Sequence, residues 1–170
     1  MAGSDVPWRL RWTVDLLDVR PDDQILEIGC GPGVAVSLIA DRLDGGQVTA
    51  IDRSATAIDR ATRRNAGHVA GGRARIRRLD LAGVDGLTGP FTAIFAVNVN
   101  VFWVRDAAVE LRMLDNLLVG GGRLLLVFEA PGSDRTDRVL RAVADAVRAS
   151  GFRATVTRHS ATLGAVIARS

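Results

Sequence analysis

Three carboxylates stand at the ends of successive short apolar runs: Glu27 near the end of Gln24 to Ile28, Asp52 just after Gln47 to Ile51, and Asp80 just after Ala74 to Leu79. The first run continues into a glycine loop, Glu27-Ile28-Gly29-Cys30-Gly31-Pro32-Gly33. Alternate glycines let a backbone turn sharply and approach a ligand closely. A dinucleotide needs the spacing G-x-G-x-x-G, with its pyrophosphate on the amide groups of the next helix. Here the sixth position is Val34, and Pro32 removes one amide donor. The acid at Glu27 suits a cationic or amine-bearing ligand better than a pyrophosphate. Asp52, with Arg53 beside it, stands where a carboxylate can accept hydrogen bonds from both hydroxyls of a ribose. Asp80 can accept one from an adenine amino group, while Leu81 offers a backbone amide.

These residues need a scaffold that brings strand ends together. Apolar strand-like runs alternate with helix-periodic segments, the pattern of a parallel sheet flanked by helices. The spacing of Trp8, Trp12, Leu16 and Val19 predicts a helix over 5–19, and residues 1–20 form a leader to a single domain over 21–170. Strands are expected at 24–28, 47–51, 74–79, 91–97 and 123–128. Helices are expected from Val34 to Leu43, from a Ser54 cap to about Asn65, and from an Asp106 cap with Val109, Leu111, Leu114 and Leu118 inward. Gly120-Gly121-Gly122 is read as the stop of that helix, and 81–90 as a loop. A last helix is expected over 134–149, closed by Gly151. The runs 152–157 and 162–168 are joined too tightly for a parallel crossover and must form a hairpin.

With those motifs in order, the chain resembles the class I S-adenosylmethionine-dependent methyltransferases, in their small stand-alone form. The run Ile25 to Gly33 matches the first motif of that family, Asp52 its ribose-binding acid and Asp80 its adenine-contacting acid. Gly120-Gly121-Gly122-Arg123-Leu124 resembles the turn into its fifth strand. The resemblance implies a Rossmann-like α/β fold with a seven-stranded, mostly parallel sheet, helices on both faces, order 3-2-1-4-5-7-6 and strand seven antiparallel. It implies S-adenosyl-L-methionine as cofactor, its methionine part wrapped by Gly29, Cys30, Gly31 and Gly33, with Glu27, Asp52, Arg53, Asp80, Leu81 and Asn98 around it.

Methyl transfer is an in-line displacement in which the protein supplies alignment, desolvation and, for some acceptors, a base. The segment after the fourth strand, Asn98-Val99-Asn100-Val101-Phe102-Trp103, offers Asn100 and Trp103 to an acceptor pocket, and Trp12 of the leader is a further candidate. Glu129 after the fifth strand and His159 in the hairpin turn are the candidate bases. His68 is read as structural or solvated, and Arg9 and Arg11 as a solvated pair or a site for an anionic acceptor or the cofactor's carboxylate. Family members that methylate exocyclic amines of nucleic acid carry Asn/Asp-Pro-Pro-Tyr/Phe after strand four, which this chain lacks. Those acting at cytosine C5 use a cysteine there, and the only cysteine is Cys30. The common ribose 2′-O type uses a lysine, which this chain does not contain. No metal site is expected, because Asn98 and Glu129 are too few hard oxygen ligands.

The composition fits this reading. Of 170 residues, 48% are hydrophobic and 24% charged, which excludes a disordered chain. All 22 basic residues are arginine against 19 acids, so the isoelectric point of 10.7 accompanies a net charge of only +3. A GC-rich coding bias accounts for such usage. The cluster Arg60, Arg63, Arg64, Arg73, Arg75, Arg77 and Arg78 lacks the interleaved aromatics of a base-stacking surface and reads as charge guarding a sheet edge. No apolar run approaches a membrane span and no signal peptide is visible, so a cytoplasmic protein is expected. The expected function is methyl transfer to a small-molecule acceptor, with no membrane or nucleic-acid partner and a homodimer among the allowed assemblies. The alternatives are a catalytically silent binder of S-adenosylmethionine or S-adenosylhomocysteine and an RNA methyltransferase; a dinucleotide oxidoreductase is disfavoured by Val34.

Overall fold

The computed structural model describes residues 6–170. Its seven strands are β1 (Gln24–Ile28), β2 (Gln47–Asp52), β3 (Ala74–Arg78), β4 (Phe91–Val97), β5 (Leu118–Glu129), β6 (Arg153–Arg158) and β7 (Leu163–Arg169). They form one sheet in the order β3-β2-β1-β4-β5-β7-β6. The first five strands are parallel, and β7 runs antiparallel to both β5 and β6. The helices are α1 (Trp8–Leu17), α2 (Val34–Ala40), α3 (Ala55–Arg64), α4 (Ala66–Ala70), α5 (Val101–Val104), α6 (Ala108–Leu117) and α7 (Ser133–Ala149).

Side chains alternate across the sheet, and each face has its own core. Leu26, Ile94, Leu124 and Leu126 point to the side covered by Leu111 and Leu114 of α6 and by Val139, Leu140 and Val143 of α7. Ile25, Val48, Phe95, Leu125 and Val127 point to the side covered by Val14 and Leu17 of α1 and by Val36 and Ile39 of α2. This two-sided burial is why the central strands read as near-continuous apolar runs. At the edge, Arg75, Arg77 and Arg78 of β3 are exposed, which leaves charge along the unpaired border.

Several boundaries differ from the sequence expectation. Asp5, the expected start of α1, lies outside the described residues; the helix ends at Leu17, where Asp18 takes a left-handed conformation. Ser54 does cap α3, accepting from the Ala57 N–H at 3.2 Å. Residues 81–86 wind into a 3-10 turn whose first amide, at Ala82, is held by Asp80 Oδ1. α5 was not expected, because four residues carry too little periodicity to register. Val109 is exposed rather than inward (59%), and Leu118 leaves α6 to begin β5. The glycines 120–122 lie within β5, where the pairing with β4 shifts register between Phe91 and Ala93. A glycine run that reads as a helix stop is here an irregular strand entry, with Gly121 at φ +75°.

Candidate cofactor and acceptor site

The carboxyl ends of β1, β2 and β4 converge on one cleft of about 670 Å³, within the size range of small-molecule sites. Gly29, Asp52, Asp80, Leu81, Asn98 and Asn100 line it, and Arg53 and Arg105 stand at its border. Of the glycine loop, Gly29 lines it, and Cys30, Gly31 and Gly33 stand behind. Gly29, Gly31 and Gly33 all take positive φ, at +71°, +52° and +75°. The loop is pinned at both ends: the Gly29 and Cys30 amides donate to Ile51 O, and the Gly31 amide donates to Asp52 Oδ2 at 2.9 Å. At Gly33 a Cβ would fall 2.7 Å from Asn65 Nδ2 and 2.8 Å from Ala61 Cβ, so only glycine lets α2 start this close to α3.

Asn65 brackets this entry. It is fully buried and donates from Nδ2 to Gly33 O (3.0 Å) and Ala61 O (2.9 Å), while its Oδ1 accepts from Ser37 Oγ (2.7 Å). From outside the loop, Arg64 donates to Pro32 O at 3.1 Å, and Arg78 donates to Arg53 O at 3.2 Å. Two members of the basic cluster therefore shape the cofactor loops. Nothing in the local sequence announces Asn65, Arg64 or Arg78, since each acts across a distance in the chain.

Glu27 of β1 is buried and lines none of the hollows, and its Oε2 has no hydrogen-bond partner. Burial, and secondarily the Asp52 charge, pushes its carboxyl up to about 8. A buried carboxylate oxygen without a donor is costly unless a ligand provides one. Asp52 also accepts from the Ser54 amide at 2.8 Å, which uses two of its roughly four lone-pair sites and leaves others for hydroxyls. Cys30 is buried, and burial with two acids nearby drives its thiol well up; it fills space as a neutral group.

This donor and acceptor set fits a cationic, ribose-bearing ligand. Glu27 would face an ammonium group, the glycine backbone would follow an aliphatic chain, Asp52 would take ribose hydroxyls, and Asp80 with Leu81 would border an adenine. A pyrophosphate would instead find one backbone amide fewer in this loop, because position 32 is proline.

A family model described as a methyltransferase domain matches residues 25–122. This chain belongs to the class I S-adenosylmethionine-dependent methyltransferases. S-adenosyl-L-methionine is the cofactor of this methyltransferase domain. Among curated relatives, the trans-aconitate 2-methyltransferase of Streptomyces avermitilis is 32% identical over 146 residues, covering 82% of this chain and 51% of that protein. The protein of the same name from Streptomyces coelicolor is 32% identical over 163 residues, covering 89% and 51%. The methyltransferase chain thus spans about half the length of the curated relatives it matches. Among solved structures, a SAM-dependent methyltransferase from Aquifex aeolicus superposes with a TM-score of 0.76 at 13% identity over 94% of this chain and 88% of that one. The Aeropyrum pernix fibrillarin with natively bound S-adenosyl-L-methionine gives 0.73 at 16% identity, over 95% and 76%. These likenesses show the fold alone.

Asn98 lies on the side of the cleft that faces β5. It sits at φ +57°, a left-handed conformation that asparagine tolerates. Its amide donates to Val127 O (2.9 Å) and its Oδ1 accepts from the Glu129 amide (2.8 Å), so it staples the ends of β4 and β5. Asn100 starts α5, and its Oδ1 accepts from Trp103 Nε1 at 3.3 Å, which fixes the indole. A hollow of about 220 Å³ continues from the cleft past Asn98 and Asn100 to Trp103, Phe128, Glu129 and Arg135.

The two candidate bases stand apart. Glu129 borders the hollow but is paired with Arg9 of α1 at 3.2 Å. His159 is exposed and packs on Trp8 (centroids 5.9 Å apart) and Trp12 (5.2 Å), lining none of the hollows named here. Trp12 likewise faces the hairpin turn rather than the hollow, because α1 packs across the β5 and β7 ends through this aromatic contact. His68 contacts Asp41 at 3.3 Å, on α4. No helix among the described residues is long and apolar enough to cross a membrane.

Proposed function

We propose that this domain methylates an oxygen of a small carboxylic acid bound in the hollow beside Asn98. The observation that carries the reading is Arg135: it borders that hollow and has no carboxylate within ion-pairing distance among the described residues. A guanidinium without a counter-charge at the rim of a pocket matches a carboxylate with planar, two-point geometry. The relatives named for trans-aconitate support an acceptor of this class.

When bound, S-adenosylmethionine supplies an activated methyl group on a positively charged sulfur. An ionised acceptor oxygen has its own lone pair and no proton to lose. It forms the new C–O bond as the C–S bond breaks, and that electron pair stays on sulfur. Neither Glu129 nor His159 is needed as a base. Asn98 and Asn100 hold the pocket wall in register with the cleft, and Arg135 holds the acid.

The test is S-adenosylhomocysteine release over a panel of carboxylic acids, phenols and amines. Turnover with acids is expected. Turnover confined to phenols or amines contradicts the acceptor class, and binding of cofactor without turnover on any compound favours the silent binder.

A further inference from the structure

Resting on that reading, we infer that the acceptor site has a second compartment, a groove between α5 and α7 that takes an apolar acceptor limb ending in a second carboxylate held by Arg138. The groove, of about 360 Å³, is lined by Trp103, Arg135, Arg138, Val139 and Ala142. It shares Trp103, Arg135 and Val139 with the smaller hollow, so the two adjoin.

The four α7 positions recur at i, i+3, i+4 and i+7, which puts them on one stripe of the helix. Val139 is buried in the core and Trp103 packs against it, so the floor is rigid and apolar. Ala142 is exposed, so nothing of its own chain caps the floor there. The Arg135 guanidinium lies 5.7 Å from the centre of the Trp103 ring. A guanidinium stacked on a ring keeps its edge N–H groups available for an anion. Arg138, three residues on, also has no ion pair among the described residues, whereas the neighbouring Asp137 is engaged by Arg158 at 2.6 Å. The groove thus joins an apolar floor of Trp103, Val139 and Ala142 to two arginines without an ion pair among the described residues. An acceptor carrying carboxylates at both ends of a hydrocarbon limb matches it; a compact hydrophilic acid leaves the strip wet.

The experiment is calorimetric binding of succinate, adipate and suberate, with octanoate as the single-ended control, to the 170-residue protein saturated with S-adenosylhomocysteine. Each methylene buried on the strip is expected to tighten binding roughly fourfold, so suberate binds at least tenfold more tightly than succinate. R138Q is expected to weaken suberate about tenfold and to leave octanoate unchanged. A142F, which fills the strip from an exposed position, is expected to remove the dependence on length and to spare succinate. Equal affinity along the series, or suberate binding indifferent to both substitutions, overturns the inference. If acids of every length are methylated equally well, the reaction stands and the groove falls. If suberate binds with the expected pattern and no acid is methylated, the groove stands and the reaction falls.

Discussion

The Gly31 amide donates to Asp52 Oδ2 at 2.9 Å. One carboxylate at the end of β2 therefore sets the shape of the loop at the end of β1 while its remaining lone pairs face the cleft. Loop geometry and cofactor contact are carried by the same side chain. Replacing Asp52 by alanine removes both, and the Gly31 and Ser54 amides lose their acceptor. The expected result is a loss of about 1–3 kcal/mol in S-adenosylhomocysteine binding, or roughly fivefold to over a hundredfold in Kd. Calorimetric titration measures it. Unchanged affinity contradicts the dual role.

Asn65 holds the opposite side of the loop. Asn65→Leu keeps the volume but removes one side-chain hydrogen bond each from Gly33 O, Ala61 O and Ser37 Oγ, which keep their bonds to Ser37, to the residue-65 amide and to Gly33 O. The expected cost is about 2–4 kcal/mol in urea unfolding, because three side-chain hydrogen bonds around the loop are lost together. Gly33→Ala is expected to be comparably harmful, since its Cβ would overlap Ala61 and Asn65 and its φ of +75° disfavours any side chain.

Much of this was legible beforehand, and the rest was hidden for identifiable reasons. Strands β1, β2 and β4 are buried on both faces, so their apolar runs mark them directly. Glu27, Asp52 and Asp80 follow from their place at strand ends, where a parallel sheet gathers its ligands. Asn65, Arg64 and Arg78 act on loops that only the fold brings near, and no spacing rule reports that. Asn98 could be placed at the cleft, but its left-handed backbone and its grip on Glu129 depend on β4 and β5 being neighbours. The glycines at 120–122 misled because the same residues serve a helix stop and an irregular strand entry.

Glu27 predicts a pH dependence. Its folded-state value near 8 stands above the ordinary 4.5, so the folded cofactor-free protein holds a proton that the unfolded chain releases. That contribution to stability is complete below about pH 4.5 and is lost as the pH rises through about 8. Glu27→Gln is expected to flatten this loss. An ammonium group brought against Glu27 favours the ionised form, so binding expels the proton. Cofactor affinity should then rise with pH, by up to about tenfold per unit, until the carboxyl is ionised without ligand. Titrations in buffers of different ionisation enthalpy measure the released proton; its absence contradicts the assignment.

Glu129 and Arg9 are both partly exposed, so their pair is worth only about 0–1 kcal/mol of stability. If the acceptor arrives ionised, Glu129→Gln lowers kcat by less than about tenfold, whereas loss of a general base costs roughly 10²–10⁴. Single-turnover rates with the best acid of the panel decide between the two. His159→Ala is expected to leave the same rate within about threefold, well short of that range, because the ring serves the contact with Trp8 and Trp12.

The most direct measurement is a parallel titration of the protein with S-adenosylmethionine and with NAD, repeated on Glu27→Gln. An acid-lined cradle with an enclosed, unpartnered carboxylate predicts saturable binding of the sulfonium ligand, weakened by the substitution, and no binding of the pyrophosphate-bearing one. Saturable binding of NAD together with indifference to S-adenosylmethionine would contradict it.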